Sequence, residues 1–144
     1  MTLDQISVFV ENRPGRLADI FEALAAESID LRAMSIADTS SFGILRLIVD
    51  KPIRAQKILA EAGYLVQMTK VIPVAVQDSP GGLARAIRVL SDADISVEYT
   101  YAFVGHKSGS AYVVFRVEDN EKAAKTLTEQ GIRVISADEL YEMN

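Results

Sequence analysis

The chain is written twice. Asn12-Arg13-Pro14-Gly15-Arg16-Leu17 returns 66 positions later as Asp78-Ser79-Pro80-Gly81-Gly82-Leu83, and the same offset pairs Leu24 with Leu90, Ile29 with Ile95 and Leu31 with Val97. Further on the offset becomes 68, pairing Val49 with Val117, Ala55 with Ala123, Leu59 with Leu127 and Gly63 with Gly131. The change implies one two-residue insertion in the second copy, opposite the stretch between Thr39 and Gly43 of the first. A duplicated unit of about seventy residues replaces the single domain that the length alone would suggest. Two copies are too few for a solenoid, so the expected arrangement is a pseudo-dimer on one chain, with domains at 1–70 and 71–144.

Within each copy the apolar period alternates between strand and helix. Leu3, Ile6, Val8 and Val10 contain a period-2 run, so residues 3–11 read as a strand. Pro14 is then expected to open a helix whose apolar stripe is Leu17, Ile20, Phe21 and Leu24. Strands follow at about 30–37 and 43–49, and Asp50 is placed as the cap of a second helix that Gly63 stops. Tyr64-Leu65-Val66 starts a fourth strand. The order βαββαβ is the split-βαβ, ferredoxin-like unit, an α+β fold with both helices on one face of an antiparallel sheet. The second copy repeats it, with strands at 71–77, 95–104, 110–117 and 132–137 and the extra residues in the hairpin Gly105-His106-Lys107-Ser108-Gly109. Almost no linker separates the copies, and Pro73 is expected to mark a break or an edge position. A rigid seam between the units is then the natural place for a ligand.

Composition removes whole classes of function. There is no Cys and one His, so thiol chemistry, disulfides and Cys/His metal sites are not expected from this chain. His106, in a Gly-flanked hairpin tip, reads as an exposed loop residue; the other reading is a ligand shared across an oligomer. The net charge of −5 argues against a nucleic-acid or anionic-membrane surface. No apolar run approaches the roughly 20 residues that span a bilayer. The opening Met1-Thr2-Leu3-Asp4-Gln5 shows no signal peptide, and a cytoplasmic protein is expected. Neither GxGxxG nor GxxxxGK[ST] occurs, so no nucleotide cofactor is implied. Asp92, Asp94, Glu118 and Asp119 fall where helix ends or loops are expected, where caps and solvated charge explain them better than acid–base catalysis. No active site is legible.

The loop between the first strand and the first helix is what remains. Unpaired N–H groups and the helix dipole suit a carboxylate there, and Gly15 lets a ligand approach the backbone. Asn12 offers donors and an acceptor, and so can bond both ends of a zwitterionic amino acid. The plainer alternative is that Pro14-Gly15 simply starts the helix tightly while Asn12 satisfies the turn.

Taken together, the βαββαβ order, Asn12-Arg13-Pro14-Gly15-Arg16-Leu17 before helix one and Ile29-Asp30-Leu31 before strand two resemble the ACT domain family. The whole chain, residues 3–143, resembles the small proteins made of two ACT domains in tandem. The resemblance implies a non-catalytic, regulatory amino-acid sensor. It implies two units side by side in an eight-stranded antiparallel sheet, helices on one face, with the ligand at the seam. The loop of one unit would face strand two of its neighbour. Site one would then use Asn12, Arg13, Pro14, Gly15 and Arg16 with the strand near Tyr99 and Tyr101. Site two would use Asp78, Ser79, Pro80, Gly81 and Gly82 against Ala33 to Ser35. Asp78 departs from the pattern, since an aspartate attracts the ammonium of an amino acid but repels its carboxylate; the two sites are expected to be unequal. Tyr99 and Tyr101 share a strand face and either wall a pocket or serve as core or sheet-surface aromatics.

The implied partners are a free amino acid and an enzyme of amino-acid metabolism. The alternative is a regulatory subunit that acts on such an enzyme only through protein contacts, without a ligand. Strands 43–49 and 110–117 read as apolar on both faces: Ile44, Arg46 and Ile48 on one side, Leu45, Leu47 and Val49 on the other. That leaves an apolar sheet face opposite the helices, and a homodimer is expected to cover part of it.

Overall fold

Strand β1 (Leu3–Glu11) forms over the alternating run that opens the chain, and turns Ile6, Val8 and Val10 inward. The computed structural model describes residues 2–38, 41–104 and 109–141. After β1 come α1 (Arg16–Ala26), β2 (Leu31–Asp38), β3 (Phe42–Val49), α2 (Pro52–Glu61) and β4 (Leu65–Gln77). The second half continues with α3 (Gly82–Asp92), β5 (Tyr99–Ala102), β6 (Ser110–Arg116), α4 (Asn120–Glu129), β7 (Arg133–Val134) and α5 (Ala137–Tyr141). The chain divides into two compact units, Asp4–Thr69 and Lys70–Asn144, the latter grouped with Met1–Leu3.

In the first unit β1 and β2 each pair antiparallel with β3, with Ile6 opposite Leu47 and Ile36 opposite Leu45. In the second, β6 lies antiparallel between β4 and β5, and β7 adds to β4. Each unit thus has antiparallel strands and two main helices, an α+β arrangement.

The two cores repeat one another side chain for side chain. In the first, Ile6, Val8, Val10, Ile20, Leu24 and Ile29 cluster with Leu45, Leu47, Val49, Ala55 and Leu59. The offsets of 66 and 68 carry these onto Ile72, Val74, Val76, Ala86, Leu90, Ile95, Val113, Phe115, Val117, Ala123 and Leu127, all buried in the second cluster. Both helices of each unit contribute, so both lie on the same face of their strands. Ile20 becomes the smaller Ala86 and Leu45 the smaller Val113, while Leu47 becomes the larger Phe115.

Several expectations need correction. The described residues hold seven strands where eight were expected; the run of the last strand of copy one directly into the first of copy two, expected around Gln67–Val76, is seen as the single strand β4 of 13 residues. Pro73 does not break it. Its carbonyl accepts the Ile135 N–H at 2.9 Å, so its missing donor faces β7, where pairing covers only Val74 and Ala75. Pro14 precedes α1 instead of opening it: Gly15 occupies the N-cap with φ 89°, and the helix begins at Arg16. Asp50 does not cap α2; Lys51 holds that position and Pro52 the first turn. The Asp50 carboxylate instead accepts the Asp30 N–H at 2.9 Å, while the Asp50 N–H donates to the Asp30 carbonyl at 3.1 Å, joining the start of β2 to the end of β3.

The strand expected at 95–104 shrinks to β5, four residues long, and that at 132–137 to β7. Beyond β7 the helix α5 is an addition, opened by the Ser136 hydroxyl accepting the Glu139 N–H at 3.2 Å and held by a two-pronged pair between Arg133 and Glu139 at 2.9 Å. That pair also raises the pKa of the Arg133 guanidinium, against the smaller opposing effect of burial. The β-face expected to be open is partly covered: Ile48, Tyr112 and Val114 are buried within the single chain. Thr39, Ser40, His106 and most of the hairpin around it lie outside the described residues.

Candidate functional site

The two loops that precede α1 and α3 are built by the same four backbone hydrogen bonds. In loop one, Asn12 N–H donates to Ser41 carbonyl (3.4 Å), Arg13 to Glu11 (2.8 Å), Arg16 to Arg13 (3.3 Å) and Asp19 to Gly15 (2.9 Å). In loop two the equivalents are Asp78 to Gly109 (3.1 Å), Ser79 to Gln77 (2.9 Å), Gly82 to Ser79 (3.0 Å) and Arg85 to Gly81 (2.9 Å). Gly15 and Gly81 take the left-handed backbone at φ 89° and 92°, which glycine enters without a Cβ penalty. Neither helix has a side-chain cap, so the first-turn N–H groups that an α-helix cannot use internally, beyond those of Arg16 and Gly82 held by the turns, are left to solvent or a ligand.

What surrounds the loops differs. At loop one a cavity of about 80 Å³ opens between the loop and the far end of the β2–β3 pair. Its floor is apolar, from Val10, Leu17, Ile36 and Leu45, with Gly43 adding no side chain. Its rim is charged, with Asn12, Arg13 and Arg16 from the loop, Glu11 from the end of β1 and Asp38 from the end of β2. Arg13 pairs with Glu11 at 2.8 Å and Arg16 approaches the same carboxylate at 3.7 Å. These pairs are largely exposed, with Glu11 63% accessible, so they contribute little, about 0–1 kcal/mol, and yield readily to a competing carboxylate.

At loop two the counterparts of these rim charges are missing, although Asp78 stands where Asn12 does. Ser79 and Gly82 stand where Arg13 and Arg16 stand, and Val104 stands for Asp38. The space near this loop is a cavity of about 310 Å³ on its other side, formed by Gln77, Pro80, Gly81, Gly82 and Arg85 with Gly131 and Ile132. The matching cavity of the first unit is reduced to about 130 Å³ because Phe9, Arg16 and Tyr64 replace Ala75, Gly82 and Ile132.

Of the residues singled out in the sequence, the structure gathers Asn12, Arg13 and Arg16 around one cavity, with Pro14 and Gly15 in the turn between them. Gly81 and Gly82 line the other, whereas Asp78 and Ser79 serve the turn. Tyr99 and Tyr101 stack on one face of β5 with ring centres 6.4 Å apart. Ser35 sits half-buried on β2 opposite Arg46. Asp38, Ile36 and Gly43 were not anticipated; the β2–β3 register sets Asp38 opposite Gly43 and brings both to the loop. Among the described residues no group of His, Cys, Asp or Glu could hold a metal, and no helix is long and apolar enough to cross a membrane.

Paired βαββαβ-type units with a glycine-cornered loop before the first helix define a class of small two-unit α+β domains. The chain belongs to the ACT domain pair family, whose model matches residues 1–144. Among solved structures it is similar to protein BT0572 from Bacteroides thetaiotaomicron, at 36% identity over 99% of this chain and 98% of that one, with a TM-score of 0.92. The regulatory subunit of aspartate kinase from Thermus thermophilus shares the fold at 19% identity, with a TM-score of 0.66 and coverage of 88% and 91%. That of Thermus flavus does so at 18% identity, with a TM-score of 0.60 and coverage of 88% and 90%. No curated protein matches.

Proposed function

We propose that this chain is a non-catalytic regulatory protein of the cytoplasm that binds a free amino acid at loop one and acts on an enzyme of amino-acid metabolism. The observation that carries the reading is the rim of the first cavity, where two guanidinium groups, an uncapped helix end, an asparagine and an aspartate converge over an apolar floor. A zwitterion needs both signs of charge within a few ångströms, and this rim holds both. Arg13, Arg16, the first turn of α1 and the Asn12 amide N–H groups take the carboxylate; Asp38 takes the ammonium. Aspartate kinase, whose regulatory subunits share the fold, suggests the partner's class.

A thermal-shift panel of the twenty amino acids tests this. A ligand at about 100 times its dissociation constant should stabilise the fold by roughly 2.7 kcal/mol. No shift with any of them would leave the subunit that works by contact alone. Asn12→Asp should then weaken binding by about 1.5–3 kcal/mol, more than roughly tenfold, since it sets a carboxylate beside that of the ligand. Asp78→Asn should leave affinity at loop one unchanged. Calorimetry showing the opposite pattern would place the ligand at loop two.

The protein is further proposed to be a homodimer. Strand β2 is an edge strand of eight residues, and such an edge is a template for a second chain. Light scattering at low micromolar concentration should give twice the 15.7 kDa of one chain; the monomer mass would refute the dimer.

A further inference from the structure

Resting on the reading that loop one binds a free amino acid, we infer that its ligand is an aliphatic amino acid whose side chain enters the cavity between Leu17, Ile36, Gly43 and Leu45. The first argument is charge. The lining holds two cations, Arg13 and Arg16, and two anions, Glu11 and Asp38, with Arg13 2.8 Å and Arg16 3.7 Å from the Glu11 carboxylate, so its charge is balanced. A zwitterion with an uncharged side chain keeps that balance, whereas an ionised side chain would add an unmatched charge, desolvated against apolar walls. The second is size. The recess is small, about 80 Å³ against the roughly 150 Å³ of an interior cavity that takes up benzene, so a compact branched aliphatic side chain is the better match to its apolar walls.

The third argument is Gly43. It does not adopt the left-handed conformation that demands glycine. A Cβ there would sit 3.4 Å from the Ala37 carbonyl oxygen and 3.5 Å from Ile36 Cγ2, ordinary contact distances. Neither backbone conformation nor crowding requires glycine, and what it supplies is space. The second copy has Ala111 at this position and Ala102 in place of Ile36, along with the lost arginines and the lost Asp38, so floor and rim have changed together. Leu17 and Ile36 are 37% and 45% exposed, apolar walls that an aliphatic side chain would cover.

The test is calorimetric titration of the full chain with valine, leucine, isoleucine, phenylalanine, lysine, aspartate and serine, repeated on Gly43→Ala and Gly43→Leu. At least one of the three aliphatic amino acids should bind tenfold or more tighter than the other four. Gly43→Leu should lower that affinity at least tenfold, and Gly43→Ala should shift preference towards valine, with the melting temperature of the unliganded protein confirming that each variant folds. Tighter binding of a charged, aromatic or hydroxylated amino acid overturns the inference while leaving the amino-acid reading intact. So does full affinity in both Gly43 variants. Binding of none of the twenty amino acids overturns the amino-acid reading itself, and this inference with it.

Discussion

Phe115→Ala is expected to remove about 3–5 kcal/mol of stability, the usual loss when a fully buried aromatic ring is truncated and its cavity only partly collapses. Phe115 has no exposed surface and lies among Ile72, Val74 and Leu90 in the second core. Leu47, its counterpart in the first core, is equally inaccessible, and Leu47→Ala should remove about 2–5 kcal/mol. Either loss is a large share of the roughly 5–15 kcal/mol that holds a protein folded. The informative measurement is urea unfolding of both variants. Strand β4 sends Val66 and Met68 to the first core and Ile72, Val74 and Val76 to the second, so neither core can lose its side of the strand alone. One transition should move in each variant. A two-step curve with only one step shifted would show that the repeats unfold independently.

Gly82→Ala should be almost as damaging, at roughly 3 kcal/mol or more, although the residue only opens helix α3. A Cβ on Gly82 would stand 2.9 Å from the Gln77 carbonyl carbon and closer still to its oxygen, so the backbone itself must move. Gly81, next door, is a control with a different physical cause. Its Cβ would meet nothing within 4 Å, and only its φ of 92° opposes a side chain, so Gly81→Ala should lose about 1–2 kcal/mol. In melting temperature the two should be separated by several degrees, at about 2–4 °C per kcal/mol for a chain of this size. Equal shifts would mean that loop two relaxes freely. Loop one carries Arg16 at the corresponding place, with its N–H 3.3 Å from the Arg13 carbonyl, against 3.0 Å for Gly82 to Ser79.

Much of the fold could be read from the sequence because burial leaves a periodic trace. Ile6, Val8 and Val10 alternate, Ile20 and Leu24 are one helical turn apart, and their partners at the fixed offsets follow them into the second core. What escaped was decided by pairing between distant residues. Nothing near Pro73 announces that β7 is too short to need its missing N–H. Asp38 and Gly43 reach the site only through a hairpin register, and neither carries a motif. The helix α5 was legible after all: Ser136-Ala137-Asp138-Glu139 has a cap residue followed three positions later by glutamate, a capping signature hidden by the apolar Val134-Ile135 that suggested a longer strand.

Continuity of β4 also governs how this protein can be taken apart. The repeat boundary, where a gene would most naturally be cut to express either half, falls between Thr69 and Lys70, inside a 13-residue strand. A fragment ending there would carry a severed strand stump with raw hydrogen-bonding groups, and its complement would begin with one. Such halves would seek each other, or themselves, as aggregates. Duplication here has yielded a protein whose ancestral modules are visible in its residues yet no longer separable at the place where they were joined.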